Sequence, residues 1–166
     1  MTRLDPDTTV VELELADEAA TAALAARIAG LVRPSDVIGL SGDLGTGKTT
    51  FARAFIRAAG GADEEVPSPT FTLVQTYDLA LGRIYHFDLF RIDRADAARE
   101  IGLEDAFIDG ISLIEWPERL AGAWPTDRLE IDLAQGARAE ARRVRLIGRG
   151  RWRDRLAQAF AEARRG

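Results

Sequence analysis

Eight residues constrain this chain more than any others: Gly42-Asp43-Leu44-Gly45-Thr46-Gly47-Lys48-Thr49 satisfies G-x-x-x-x-G-K-[ST] in full. An apolar run from Asp36 to Leu40 leads into it and a helix-periodic run from Lys48 to Ala59 follows, which is the strand–loop–helix setting the pattern needs. Glycines let successive backbone N–H groups turn inward without Cβ interference, and the start of the following helix adds partial positive charge. A loop of this kind suits a triphosphate. The reading is ATP with Mg²⁺: Lys48 reaches the β and γ phosphates, the Thr49 hydroxyl ligates the metal, and Gly42, Asp43, Leu44, Gly45, Thr46, Gly47 and Thr50 line the cradle.

One count sharpens the assignment of Lys48. Of 22 basic residues, 21 are arginine, and Lys48 is the single lysine. A guanidinium is a broad planar fork, whereas an ammonium is a compact point charge, so a site that keeps lysine against this bias needs the smaller group. The same count excludes an Asn/Thr-Lys-x-Asp guanine-reading segment, which favours ATP over GTP.

At 166 residues with 46% apolar content, the chain is expected to be one domain, 1–166, with one core. It has no cysteine, which excludes disulfides, thiol chemistry and Cys-based zinc sites. No apolar run is long enough to span a bilayer, and Met1 to Asp7 is too polar for a secretory signal, so the expectation is a cytoplasmic protein without a membrane partner. Charge is uneven: residues 1–137 hold 12 basic and 24 acidic side chains, and residues 138–166 hold 10 and 3. The basic tail suits RNA or an acidic partner, or simply a solvated strand and helix face.

Alternation and helical spacing give the remaining elements. Thr9 to Leu15 reads as a strand, followed by a helix capped by Asp17 and stopped by Gly30 and Pro34. In the helix after the loop, Phe51, Ala54, Phe55 and Ala58 are expected to face the sheet. Phe71 to Tyr77 and Arg83 to Phe90 read as strands joined through Asp78 to Gly82, Ala95 to Ile101 and Leu103 to Phe107 as short helices, and Ile111 to Trp116 as a buried strand ended by Pro117. A hairpin over Arg128–Leu133 and Arg143–Leu146 would set Glu130 and Asp132 against Arg143 and Arg145. Trp152, Leu156 and Phe160 mark a last amphipathic helix.

A phosphate cradle alone hydrolyses nothing, because a second carboxylate must hold the metal. Two strands end in candidates: Ile111-Ser112-Leu113-Ile114-Glu115 and Tyr85-His86-Phe87-Asp88. Either acid also reads as a plain surface carboxylate. His86 is the only histidine and is read as shaping the site rather than as a base. Trp116 suits either packing on a nucleotide or a core position, and Ser68-Pro69-Thr70-Phe71 either a γ-phosphate-sensing segment or a proline turn.

Taken in order, the loop with Thr50-Phe51, Ser68-Pro69-Thr70-Phe71, His86-Phe87-Asp88-Leu89-Phe90-Arg91 and Ile114-Glu115-Trp116-Pro117-Glu118 resemble the TsaE family, formerly called YjeE. These are small ATPases of bacterial tRNA threonylcarbamoyladenosine synthesis, and the resemblance covers nearly the whole chain. It implies that Asp88 and Glu115 join Thr49 around magnesium, that Trp116 lies beside the nucleotide, and that Thr70 belongs to a switch-like loop. It also implies TsaD and TsaB partners, which threonylcarbamoylate the adenosine beside the anticodon of tRNAs reading ANN codons, with tRNA met through that complex. Phe90 departs from the family's usual tyrosine.

The expectation is therefore a partner-dependent Mg-ATPase with Lys48, Asp88 and Glu115 as its catalytic set. A small-molecule kinase and a noncatalytic nucleotide-gated binding module stand as alternatives. The expected fold is a three-layer α/β P-loop NTPase domain whose mixed sheet has a mostly parallel core and added antiparallel hairpins.

Overall fold

A computed structural model of the chain describes residues 5–69, 72–94 and 96–162. Among these residues, seven strands form one sheet: β1 (Thr8–Leu15), β2 (Val37–Ser41), β3 (Val74–Leu79), β4 (Gly82–Asp88), β5 (Ile111–Glu115), β6 (Arg128–Gln135) and β7 (Arg142–Arg149). Their spatial order is β1-β7-β6-β2-β5-β4-β3. β2 runs parallel to both β5 and β6, and β5 parallel to β4, so the centre is parallel. Antiparallel strands are added at both edges, β3 on β4 and β7 with β1 beyond β6. The strand carrying the loop is thus central, and its C-terminal end opens where ligands sit in such sheets.

Among the described residues, five α-helices cover the sheet: α1 (Glu18–Ala29), α2 (Lys48–Ala58), α3 (Asp96–Glu100), α4 (Leu103–Asp109) and α5 (Arg151–Ala159). Strand alternation divides the core in two. Ile38 and Leu40 of β2 and Leu113 of β5 pack with Leu24 and Ile28 of α1, Phe51 and Phe55 of α2 and Trp152 and Leu156 of α5. On the opposite face Val37, Phe87 and Ile114 pack with Ala98, Leu103 and Ala106 of α3 and α4 and with Leu120. This is the expected three-layer arrangement.

Several boundaries differ from the sequence reading for local reasons. β3 begins at Val74 rather than Phe71, which lies outside the described residues. Leu73 is left-handed at φ 67 and its N–H closes a 2.7 Å turn onto the Pro69 carbonyl. The β3–β4 hairpin closes on Leu79 opposite Gly82, tighter than a connection over 78–82. On α2, Ala58 is exposed while Ala52, Ile56 and Ala59 are buried, so the apolar stripe lies one residue round from the expected one. Asp17 does cap α1, its Oδ1 accepting from Ala20 N at 2.9 Å. Gly30 ends α1 as expected, its N–H donating to Ala26 O at 3.1 Å, though it is right-handed at φ −70 and the left-handed turn falls on Ser35.

The second hairpin forms with a shifted set of charge pairs. Asp132 stands opposite Arg145 and Ala134 opposite Arg143, while Glu130 faces Ile147. Glu130 instead binds Arg149 at 2.5 Å, with Arg128 at 3.7 Å. β7 also lies beside β1, where Arg145 and Arg143 stand opposite Glu12 and Glu14. Part of the basic tail is therefore an arginine strand laid between acid-bearing ones. Among the described residues, no helix is long and apolar enough to cross a membrane.

Candidate nucleotide site

The loop between β2 and α2 owes its shape to three glycines. Gly42, Gly45 and Gly47 have φ of 143, 82 and 99. At Gly42 a side chain has no room, because a Cβ would lie 2.3 Å from the Leu133 carbonyl oxygen and 2.6 Å from Thr46 Oγ1. The loop's carbonyls are held by donors from its own chain: Thr46 Oγ1 donates to Asp43 O at 2.8 Å, and Lys48 Nζ donates to Gly42 O and Asp43 O at 2.5 and 2.8 Å. From β7, Arg142 Nε donates to Thr46 O at 2.9 Å, and Nη2 donates to Gly45 O at 3.4 Å. Carbonyls tied back in this way cannot crowd the N–H side of the loop, which is the condition for cradling an anion.

Lys48 is 5% exposed and its ammonium sits 4.1 Å from the centroid of the Trp116 ring. Burial pushes its pKa below the usual lysine value, opposed by the charges of Glu115, Glu118, Asp88 and Asp43. Trp116 reaches this place because its backbone is left-handed, at φ 62 and ψ 50, directly after β5. A non-glycine residue there costs about 1–2 kcal/mol. The Trp116 N–H donates to Leu40 O at 3.1 Å and anchors the bend to β2. Phe90 packs on Trp116 with ring centroids 4.9 Å apart, so the aromatic contact stands without a hydroxyl.

The two strand-end acids converge. β4 and β5 are in parallel register with Asp88 beside Glu115, and alternation turns both, with His86, toward the α2 face. Glu115 is 2% exposed, its Oε1 accepts from the Thr49 hydroxyl at 2.8 Å, and its Oε2 lies 2.7 Å from His86 Nε2. Asp88 is buried, and its Oδ1 accepts from Phe90 N at 3.0 Å. Among the described residues no three His, Cys, Asp or Glu side chains form a ready metal cage. Magnesium does not need one, since it is usually bound by one or two carboxylates with phosphate oxygens and water. Two carboxylates and a hydroxyl at the end of a phosphate loop fit that chemistry.

These groups line a cleft of about 390 Å³ with Leu44, Gly45, Gly47, Thr50, Ser68 and Phe90 among its walls. Leu44 stands 72% exposed at the loop's tip. Thr70 lies outside the described residues; Ser68, two positions before it, is on the cleft wall. Arg142 is the side chain that sequence reasoning missed. It lies in the tail, where no motif marks it, and meets the loop across 96 residues of chain. With Gly47 and Thr50 it also borders an adjoining cleft of about 580 Å³, walled by Glu18 and Ala19 at the start of α1 and by Ala139 and Glu140 of the β6–β7 turn.

Comparison with known proteins bears on this site. The family described as "Threonylcarbamoyl adenosine biosynthesis protein TsaE" matches residues 15–144. A Rickettsia bellii protein named "tRNA threonylcarbamoyladenosine biosynthesis protein TsaE" is 39% identical over 119 residues, 72% of this chain and 83% of its own. Proteins of the same name from Bacillus subtilis and Aquifex aeolicus are 38% and 42% identical, over 67% and 65% of this chain and 69% and 77% of theirs. The crystal structure of Bacillus subtilis YdiB superposes with a TM-score of 0.75 at 28% identity, covering 95% of this chain and 96% of that one.

Proposed function

The chain belongs to the TsaE family, and from that premise we propose that it is a Mg²⁺-dependent ATPase of tRNA threonylcarbamoyladenosine synthesis, working with TsaD and TsaB and meeting tRNA through that complex. The observation that carries this reading is the 2.8 Å bond from the loop's Thr49 hydroxyl to buried Glu115, with Asp88 beside it in register. A structural glycine turn has no use for two buried carboxylates at its mouth, whereas a polyphosphate with its cation does.

In this reading the loop N–H groups and the start of α2 hold the phosphates. Lys48 turns from its two carbonyl acceptors to β and γ oxygens, while Thr46 still holds Asp43 O and Arg142 the Gly45 and Thr46 carbonyls. Thr49, Asp88 and Glu115 would hold magnesium, which would supply positive charge to offset that of the phosphates. Trp116 walls the γ end and keeps water away from the Lys48 ammonium. Arg142 is committed to the Gly45 and Thr46 carbonyls. The charge on the transferring phosphoryl group therefore falls to Lys48 and the cation, and turnover by the chain alone is slow. The nucleoside occupies the adjoining cleft, which shares Gly47, Thr50 and Arg142 with the phosphate site.

The test follows labelled γ-phosphate with purified protein, TsaD, TsaB and Mg²⁺. Release as inorganic phosphate, abolished by Lys48→Ala, supports the ATPase. Transfer to a metabolite would make the chain a kinase. Repeated tRNA modification on a nonhydrolysable analogue would make it a nucleotide-gated module.

A further inference from the structure

His86, the chain's only histidine, has no role in the reading above, yet it is wholly buried beside the acid on which that reading turns. Of the other buried positions of β4, Ile84 and Phe87 are apolar and only the strand-end acid Asp88 is polar. An imidazole there is costly: Nδ1 has no hydrogen-bond partner among the described residues, and an unsatisfied buried polar group costs about 1–3 kcal/mol. What it gains is one contact, Nε2 to Glu115 Oε2 at 2.7 Å. An ionised carboxylate only accepts, so the shared proton is on Nε2.

Glu115 has two oxygens and competing neighbours. Oε1 takes the Thr49 hydroxyl, and Glu115 is the largest of the carboxylate charges acting on the Lys48 ammonium. Left with one anchor, the carboxylate could turn about its terminal torsion, which is broad and roughly two-fold, and pair with that ammonium. We propose that His86 is a positioning residue for Glu115: its Nε2–H pins Oε2 and so fixes Oε1 on the Thr49 side, where the phosphate-bound cation is held. The inference rests on the ATPase reading and adds to it the residue that orients the acid. Such outer partners of metal-binding groups typically matter roughly 10–100-fold in metal affinity.

Two variants and one spectrum test it. His86→Phe keeps ring volume and removes the donor, while His86→Gln returns an N–H near the Nε2 position. Binding of a fluorescent ADP analogue, titrated with Mg²⁺, should show half-saturation raised roughly 10–100-fold in His86→Phe and largely restored in His86→Gln. Affinity for the analogue without metal should be unchanged in both. Because the chain has one histidine, ¹⁵N-histidine labelling gives a single imidazole, expected with its proton on Nε2. Should His86→Phe fail to fold, His86→Leu, which also lacks a donor, takes its place with the same expected rise, and the spectrum is read on wild type.

Normal Mg²⁺-dependent binding in wild type, with unchanged half-saturation in the donor-less variant or no proton on Nε2, would overturn this inference alone. Wild type that shows no Mg²⁺-dependent nucleotide binding would overturn the ATPase reading and this inference with it.

Discussion

Replacing Arg142 with alanine isolates what a tail residue does for a loop 96 positions away. The guanidinium donates to four carbonyls: Thr46 O at 2.9 Å and Gly45 O at 3.4 Å in the loop, and Ala139 O and Ala141 O at 2.8 Å in its own turn. The last two orient the group, so the loop's share is the first two, and only the 2.9 Å contact has full strength. A hydrogen bond to a charged donor contributes about 1.5–3 kcal/mol, less where the side chain is partly exposed, as here. A loss of about 1–2 kcal/mol corresponds to roughly 5- to 30-fold in Kd. The assay is calorimetric binding of ADP and of inorganic tripolyphosphate. Both should weaken by that factor, because the loop cradles phosphate in either ligand, and Arg142→Lys should recover only part, since an ammonium does not reproduce the fork. Undiminished affinity for both ligands with a lowered melting temperature would refute the reasoning and leave Arg142 as a brace of its own turn.

Gly42→Ala should cost at least about 1–3 kcal/mol, because φ is 143 and the added Cβ meets a backbone oxygen of β6; thermal unfolding should fall by ~2–12 °C. Asp36→Ala should destabilise the fold by about 3–5 kcal/mol in denaturant titrations, since it strands the buried Arg155 guanidinium, now held at 2.6 Å, and the Arg33 N–H. Asp132 has its carboxyl pKa raised by burial and then by the Glu130 charge. The folded state therefore takes up this proton before the unfolded one, and the group destabilises the fold when ionised. Asp132→Asn should be the more stable protein at neutral pH, with its advantage shrinking as pH falls and gone below the ordinary carboxyl value of 3.8.

What could be read in the sequence was what local spacing encodes. The loop, the strand before it and the helix after it form one contiguous unit, and Asp88 and Glu115 could be named because each closes an apolar run, although the strands were expected to continue to Phe90 and Trp116. Their meeting depended on the β4–β5 register, which sequence left open, as it left open whether each acid was a surface group. Helix α1 was legible at both ends, from its Asp17 cap and from Gly30, which caps its C-terminus, whereas the left-handed turn at Ser35 had no glycine to mark it. The cross-strand pairs of β6 and β7 were misplaced for Glu130, since pairing depends on which residues of two distant strands stand opposite and on Arg149 reaching diagonally. Arg142 and the cleft it borders had no local signature at all. That contact exists only once β7 is laid beside β6 and the β6–β7 turn is brought up to the loop, a consequence of topology rather than of any motif.

The most direct measurement of the central claim is phosphate release by Glu115→Gln at saturating ATP and Mg²⁺, in the presence of TsaD and TsaB. The substitution keeps size and one acceptor oxygen while removing the charge that faces Thr49. Turnover should fall by on the order of 100-fold or more, with ADP affinity in the absence of metal retained. Turnover equal to wild type would mean that the carboxylate at the end of β5 takes no part in hydrolysis, and the convergence of Thr49, Asp88 and Glu115 would lose its functional meaning.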